Sequence, residues 1–176
     1  LVHGKLKGFE GDLRIVGHMS ETPVLGLNEI EAAMPYMERR GVIESNDVQK
    51  VVSLKAVDEK TMESFYNLPL RGVTPKAGQV AIGQDLAYRL GKDIGDEIIV
   101  YSPIDQAIGF GLPPRKKLVI SAIFSTKVLD YDDRFVFLSM SDGKSLFRRK
   151  SGYDGVDLRI KPNSDINQIK YDLIRN

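Results

Sequence analysis

The sequence predicts an α+β fold built mainly from strands. Three observations support this prediction: several segments alternate apolar and polar residues, Gly- and Pro-rich turns separate them, and helical spacing is confined to short stretches. With 176 residues, of which 42% are hydrophobic, the chain can bury a sizeable core. It suits one domain or two small interleaved ones.

The first part of the chain predicts a strand at residues 9–18 and then an ambiguous stretch at 27–37. Leu27, Ile30 and Met34 fit a helical face, but Pro35 lies too deep for a proline at a helix start. A period of two fits as well, with Ile30, Ala32, Met34 and Tyr36 on one face. We favour the strand.

A long hairpin follows in the predicted order of elements. Residues 42–43 continue the strand, Ser45-Asn46-Asp47 form the turn, and residues 48–57 return as an antiparallel partner. Residues 60–66 offer one or two helical turns, and residues 68–75 are predicted to be a linker.

The central stretch, residues 78–124, is the most informative part of the chain. It predicts a strand, a short helix at 84–90 ended by Gly91 as a left-handed cap, a Gly95-Asp96 turn, a strand at 97–101, a loop and a strand at 117–124. The loop carries apolar side chains where exposed loops normally carry polar ones. This combination favours a docking device over a catalytic site.

The C-terminal part predicts strands at 135–140 and 157–161 and an amphipathic helix at 166–174. The chain begins without methionine, and its apolar helical face stops abruptly at Asn176, so we expect a piece of a longer protein. No apolar run approaches the roughly 20 residues that span a bilayer.

Composition excludes several classes of function. The 25 basic and 24 acidic residues give no field that favours nucleic acid or an anionic membrane surface. Cysteine is absent, and His3 and His18 lie in no metal-binding or nucleophile motif. We therefore expect no enzymatic activity and no cofactor.

Two further motifs have ordinary explanations. Gly143-Lys144-Ser145 resembles the end of a phosphate-binding loop, but Leu138 occupies the required glycine position. Asp130, Asp132 and Asp133 lack the spacing of a calcium loop and are predicted to form a solvated turn.

Small motifs along the chain resemble the periplasmic core domain of MacB/FtsX-like ABC transporter permeases, and most of all the lipoprotein-releasing (Lol-type) permeases. The resemblance covers about residues 9–175. The motifs are Ala33-Met-Pro-Tyr36, Gly41-Val-Ile-Glu44, residues 52–58, Ile82-Gly83, Leu86-Ala87, Leu90-Gly91, Gly95-Asp96, residues 98–101 and Pro103.

The resemblance implies a two-lobed periplasmic domain. Residues 1–74 and 141–176 would form a terminal lobe of mixed strands and helices, and residues 75–140 a mostly-β inserted lobe. Family members usually carry a helix between the first strand and the proline-containing strand. Here only residues 20–28 are available for it, so either this branch has lost the helix or residues are missing from the sequence there.

By resemblance, the loop at residues 103–115 is the hairpin that captures the periplasmic lipoprotein carrier. A cytoplasmic ATPase subunit, a second permease subunit and the lipoprotein cargo would be further partners of the full-length inner-membrane protein. Buried apolar side chains would supply affinity, and the two prolines would lower the entropy of ordering the loop. The predicted contact residues are Ile104, Ile108, Phe110, Leu112, Pro113, Pro114, Arg115 and Lys116.

Alternatives remain open at this point. The apolar loop could fold back on its own lobe, and residues 115–117 could be exposed strand-end cations instead of a rim that steers an acidic partner. The efflux or cell-envelope branch of the superfamily, which binds adaptors or hydrolase activators, is a second function. A swapped-hairpin nucleic-acid binder resembles residues 86–100, but the near-neutral charge argues against it.

Overall fold

The computed structural model describes residues 2–3, 10–19, 26–66, 68–103, 114–149 and 151–175. The strands are β1 (Val2–His3), β2 (Leu13–Met19), β3 (Ile30–Ser45), β4 (Val48–Val57), β5 (Leu70–Gly72), β6 (Gln79–Gly83), β7 (Glu97–Tyr101), β8 (Lys116–Phe124), β9 (Phe135–Ser139) and β10 (Tyr153–Ile160). The helices are α1 (Glu59–Phe65), α2 (Gln84–Leu90), α3 (Leu129–Arg134), α4 (Met140–Leu146) and α5 (Ile166–Arg175). The mixed α+β prediction is confirmed.

The long hairpin of β3 and β4 forms as predicted. The two strands pair antiparallel from Tyr36↔Val57 to Ser45↔Val48. The ambiguous stretch is a strand, and Pro35 lies within it opposite Val156 of β10. Asn46 takes a positive φ of 52° in the turn, a conformation that asparagine tolerates.

Six of the strands close into a barrel. Going round it, β3 pairs with β4, β4 with β9, β9 with β6, β6 with β8, β8 with β7, and β7 returns to β3. Alternate residues of these strands point inward and form one apolar cluster. Its members include Val52, Leu54, Ala56, Val80, Ile82, Ile98, Val100, Leu118, Ile120, Val136 and Leu138.

The remaining strands extend the sheet at both ends. Strand β10 pairs with β3 and β2, and β2 pairs with β1. Helix α5 packs there, with Ile169 buried against Leu13 and Leu158. At the other end β5 pairs with β8, so the predicted linker at residues 68–75 contains a short strand.

The barrel draws strands from both predicted lobes. Strands β3 and β4 lie within residues 1–74, and β6 to β9 lie within residues 75–140. The core cluster joins Leu54 of the first group to Leu138 of the second without a gap. The division into two lobes stays a prediction.

The helices are short and bounded by identifiable caps. Asp58 caps α1 by accepting hydrogen bonds from the backbone N–H groups of Lys60 and Thr61. Gly91 ends α2 with φ 62° and ψ 36°, which confirms the predicted left-handed cap. Helices α3 and α4 were not predicted. In the described part of the chain, no helix has the length and apolar character needed to cross a membrane.

Candidate functional site

The predicted docking loop joins two neighbouring antiparallel strands. Strand β7 ends at Tyr101 and β8 begins at Lys116. Residues 104–113, and with them Ile104, Ile108, Phe110, Leu112 and Pro113, lie outside the described residues. Their part in partner binding stays a prediction.

The β7 end of this loop is anchored to strand β3 of the β3–β4 hairpin. Strand β7 pairs with β3 at Tyr101↔Val42 and Ile99↔Glu44. Just beyond β7, the Ser102 hydroxyl donates a hydrogen bond to the carbonyl oxygen of Arg40 at 3.0 Å, and Ser102 is buried. The root of the loop is therefore part of the barrel wall, which holds it in a fixed position.

Arg115 stands at the loop root in contact with this hairpin. Its Nη1 lies 2.8 Å from Oε2 of Glu44, and its guanidinium carbon lies 4.4 Å from the centre of the Tyr101 ring. About half of the side chain remains exposed. Because the pair is open to solvent, it is weak, and a partner carboxylate can reach the same guanidinium.

Lys116 is held more firmly inside the domain. Its Nζ lies 2.6 Å from Oδ1 of Asp142 in α4, whose side chain is buried. The other oxygen, Oδ2, accepts a hydrogen bond from the backbone N–H of Gly78 at 2.8 Å. Lys116 thus ties β8 to α4. Pro114, two residues before Lys116, is half-buried. Partner binding by Pro114 and Lys116 stays a prediction.

A buried charge cluster lies on the outer side of the barrel. Lys55 of β4 is completely buried and donates to Oε1 of Glu10 at 2.7 Å and to Oδ2 of Asp157 at 2.6 Å. Arg14 of β2 donates to the same two carboxylates at 2.7 and 2.6 Å. The Tyr131 hydroxyl of α3 reaches Oε2 of Glu10 at 3.2 Å. The cluster therefore joins β2, β4, β10 and α3.

Sequence reasoning missed this cluster. The only signal was Lys55 itself, a charged residue inside the apolar run of residues 51–57. A lysine at such a position needs a partner carboxylate if it is buried. Its two partners lie 45 and 102 positions away along the chain, so the local pattern did not identify them.

The charges of the cluster shift its pKa values. Burial on its own would raise the pKa of Glu10, but attraction and hydrogen bonds from Lys55 and Arg14 outweigh it and hold that pKa below its ordinary value. Burial would lower the pKa of Lys55, yet the surrounding acidic groups raise it above its ordinary value. Burial raises the pKa of Tyr36, which stacks near both cations, to about 12.

These shifts predict acid sensitivity. Because the folded-state pKa of Glu10 lies below the ordinary value of 4.5, the unfolded chain binds more protons as the pH falls through this range. The stabilisation is thus complete above about pH 4.5 and is lost on further acidification. Asp154 acts in the same direction: burial would raise its pKa, but hydrogen bonds from the Glu38 N–H, Arg39 and Arg149 lower it.

The measurement is the free energy of unfolding by denaturant from about pH 7 to about pH 3. We expect Glu10→Gln to be less stable than wild type at neutral pH and to lose less stability on acidification. Glu31→Gln, at an exposed position, is the control and should follow the wild-type curve. Parallel curves for wild type and Glu10→Gln would contradict the assignment.

The other motifs have structural roles. Asp130, Asp132 and Asp133 lie in α3, so the predicted solvated turn is wrong. Asp132 is buried, and its carboxylate accepts hydrogen bonds from the Thr126 N–H and hydroxyl, both at 2.7 Å. Among the residues the structure describes, no group of three or more metal-ligating side chains comes together. Gly143 lies in α4, where a Cβ would stand 2.3 Å from that of Ala56.

His18 lies at the exposed end of β2, where its Nδ1 contacts the Arg149 guanidinium. Arg149 also pairs with Asp154, and Arg39 pairs with the same carboxylate. His18 is therefore a surface residue at a strand end.

Comparison with known families decides what this fold belongs to. A sequence model of the MacB-like periplasmic core domain matches residues 9–175, almost the whole chain. The chain belongs to this family. The predicted superfamily resemblance is therefore confirmed.

Curated relatives of this MacB-like domain include two lipoprotein-releasing system transmembrane proteins LolC. The protein from Xylella fastidiosa (strain Temecula1) is 25% identical over 138 residues, which cover 74% of this chain and 33% of that protein. The protein from Neisseria meningitidis serogroup B is 24% identical over 139 residues, covering 74% of this chain and 34% of that protein. The chain spans about a third of the length of these relatives.

Solved structures show the same fold. The periplasmic region of MacB from Actinobacillus actinomycetemcomitans superposes on the MacB-like domain with a TM-score of 0.58 at 10% identity, covering 85% of this chain and 67% of that one. The extracellular domain of the ABC-type transporter YknZ from Gram-positive bacteria gives 0.56 at 13% identity, covering 82% and 72%. At these identities the likeness concerns the fold alone.

Proposed function

We propose that this MacB-like domain is the periplasmic part of an inner-membrane permease of a lipoprotein-releasing system, where it docks the periplasmic lipoprotein carrier. Its contribution is binding and mechanical coupling, with no chemistry of its own. ATP hydrolysis belongs to a separate cytoplasmic subunit, and a second permease subunit completes the transporter. The lipoprotein cargo passes from the inner membrane to the docked carrier.

The observation that carries this proposal is the sequence similarity to LolC proteins over 74% of the chain. The anchored loop root supports it. The loop starts and ends on adjacent barrel strands, and its base is bonded to the β3–β4 hairpin, so the loop has a rigid support. Such a support lowers the entropy that docking would otherwise cost.

The test is direct binding of the domain to its cognate periplasmic lipoprotein carrier, measured by calorimetry. We expect micromolar or tighter binding by wild type. Because each fully buried large apolar side chain contributes roughly 1.5–3 kcal/mol, Phe110→Asp/Leu112→Asp should weaken binding at least about 100-fold. Far-UV circular dichroism must show that both proteins are folded.

A matched control introduces the same two charges elsewhere. Val73→Asp/Tyr88→Asp replaces apolar side chains that are 63% and 88% exposed and lie outside the loop. This variant should bind the carrier as wild type does. If folded wild type fails to bind, the lipoprotein-releasing assignment is wrong and the efflux or envelope branch takes its place. Unchanged binding by the loop variant would place the docking surface outside residues 103–115.

A further inference from the structure

Within the described residues, strand β4 has an unpaired edge over its first half. It pairs with β3 along all ten residues, from Val48 to Val57. On its other side β9 covers only Ser53 to Val57. No strand of the described chain pairs with β4 over Val48–Val52 on that side. Backbone N–H and C=O groups of an open edge are a template for another strand.

A cleft of about 900 Å³ adjoins this edge. One wall is the outer surface of the hairpin, with Arg40, Val51 and Ser53. The opposite wall is α3 with Tyr131 and Arg134, followed by Phe135 at the start of β9. The cleft is open to solvent and reaches the unpaired edge at Val51 and Val52, beside the start of β9 at Phe135.

We propose that the free edge of β4 binds an extended polypeptide segment of another protein by β-strand addition. The segment lies in the cleft and continues the ladder that β9 forms with Ser53–Val57. Main-chain hydrogen bonds supply affinity in this mode of recognition, and alternate side chains supply specificity. Backbone N–H and C=O groups of an open edge pair with an extended chain, so the occupant is an extended segment.

The lining defines the side chains that the segment carries. Arg40 and Arg134 form no ion pair with the described residues and are available for a carboxylate. Besides Glu10, which Lys55 and Arg14 already pair, the lining contains two carboxylates: Glu38, which accepts a hydrogen bond from Ser53, and the exposed Asp130. These two carboxylates limit the negative charge that the cleft accepts. We therefore assign a single acidic residue to the segment, not an acidic run.

Apolar side chains flank that acidic residue. Val51 is 62% exposed and Val128 is 44% exposed, and both line the cleft. A strand places successive side chains on opposite faces, so every second residue of the segment meets this wall. The expected pattern is one Asp or Glu two positions from a β-branched or aromatic residue.

This site is separate from the loop that the proposed function uses. Strands β4 and β7 pair with opposite edges of β3, so the cleft and the loop root lie on different sides of that strand. The inference therefore stands or falls independently of carrier docking.

The experiment selects a random displayed 12-residue peptide library against the domain and measures the enriched peptides by fluorescence polarisation. We expect enriched sequences to carry one acidic residue with apolar residues at alternate positions. Arg40→Glu/Arg134→Glu and, separately, Val51→Asp should weaken their binding at least ten-fold. Lys60→Glu/Lys161→Glu reverses two exposed charges away from the cleft and should leave binding unchanged.

Main-chain pairing is tested with N-methylated versions of the best peptide. Alternate N–H groups of an added strand point toward β4, so methylation at one parity should abolish binding and methylation at the other should not. The proposal is wrong if the selection enriches no peptide beyond those enriched in a parallel selection against the variant Arg40→Glu/Arg134→Glu/Val51→Asp. It is also wrong if wild type and that variant bind the best peptide equally. A third contradicting result is a loss of binding on N-methylation that does not alternate along the peptide.

Discussion

Replacing Lys55 by methionine is expected to lower the free energy of unfolding by about 3–5 kcal/mol, because it removes one of the two cations that Glu10 and Asp157 share and leaves a surplus of buried negative charge. Methionine has a similar length and fills the space, so the loss measures charge and not volume. For a domain of this size the melting temperature should fall by roughly 10 °C.

A second substitution separates the charge effect from any packing defect. In Lys55→Met the remaining cluster has one cation, Arg14, against Glu10 and Asp157. Adding Glu10→Gln restores neutrality, since Arg14 and Asp157 then form the remaining pair. We expect the double variant to be more stable than Lys55→Met alone, measured by urea denaturation at neutral pH.

The control for this prediction is Lys117→Met, on the exposed side of β8. Surface changes of this kind stay within about 0.5 kcal/mol. A loss below about 1 kcal/mol in Lys55→Met, or a double variant less stable than the single one, would mean that the cluster is not held together by its charges.

Gly83→Ala is expected to cost about 3 kcal/mol, because a side chain at this position collides with the backbone of α3. A Cβ on Gly83 would lie 2.1 Å from the carbonyl oxygen of Asp132 and 2.6 Å from its Cα. Helix α3 cannot easily retreat, since the Asp132 carboxylate is fixed by Thr126. Thermal unfolding followed by circular dichroism measures the loss.

Gly26→Ala is the matched control, because a Cβ there meets nothing within 4 Å and its φ is not positive. It should leave the melting temperature unchanged. Similar stability of Gly83→Ala and Gly26→Ala would show that α2 and α3 separate readily at this junction.

Local patterns predicted the strands and the turn chemistry well. Period-two alternation identified β3 at Ile30–Tyr36 despite a competing helical pattern, and the Ser45-Asn46-Asp47 turn fixed the hairpin register. Gly91 was identified as a cap because a left-handed residue after a helix is normally glycine. These features depend on neighbours a few positions apart.

The sequence patterns did not predict helices α3 and α4. Their sequences, Leu129–Arg134 and Met140–Leu146, contain few apolar residues and show no apolar helical face, and α3 begins without a side-chain cap. The barrel was not predicted either. It depends on the parallel pairing of β4 with β9, which joins Ser53 to Phe135, two residues far apart in the sequence. No local pattern specifies such a contact.

The candidate sites also have features that the sequence predicts and features that depend on tertiary contacts. The apolar loop at residues 103–115 was visible from composition, while its anchoring through Ser102 and the ion pair of Lys116 with Asp142 depend on tertiary contacts. The open edge of β4 follows from where β9 begins. That boundary is set by α3, which the sequence pattern did not show.

Strand β3 runs without interruption from its pairing with β10 to its pairing with β7. Its 16 residues span roughly 50 Å without a break. One end is bonded to β10 and the other to β7 at the root of the loop. The continuous backbone of β3 therefore couples the position of the β10 end to the position of the loop root.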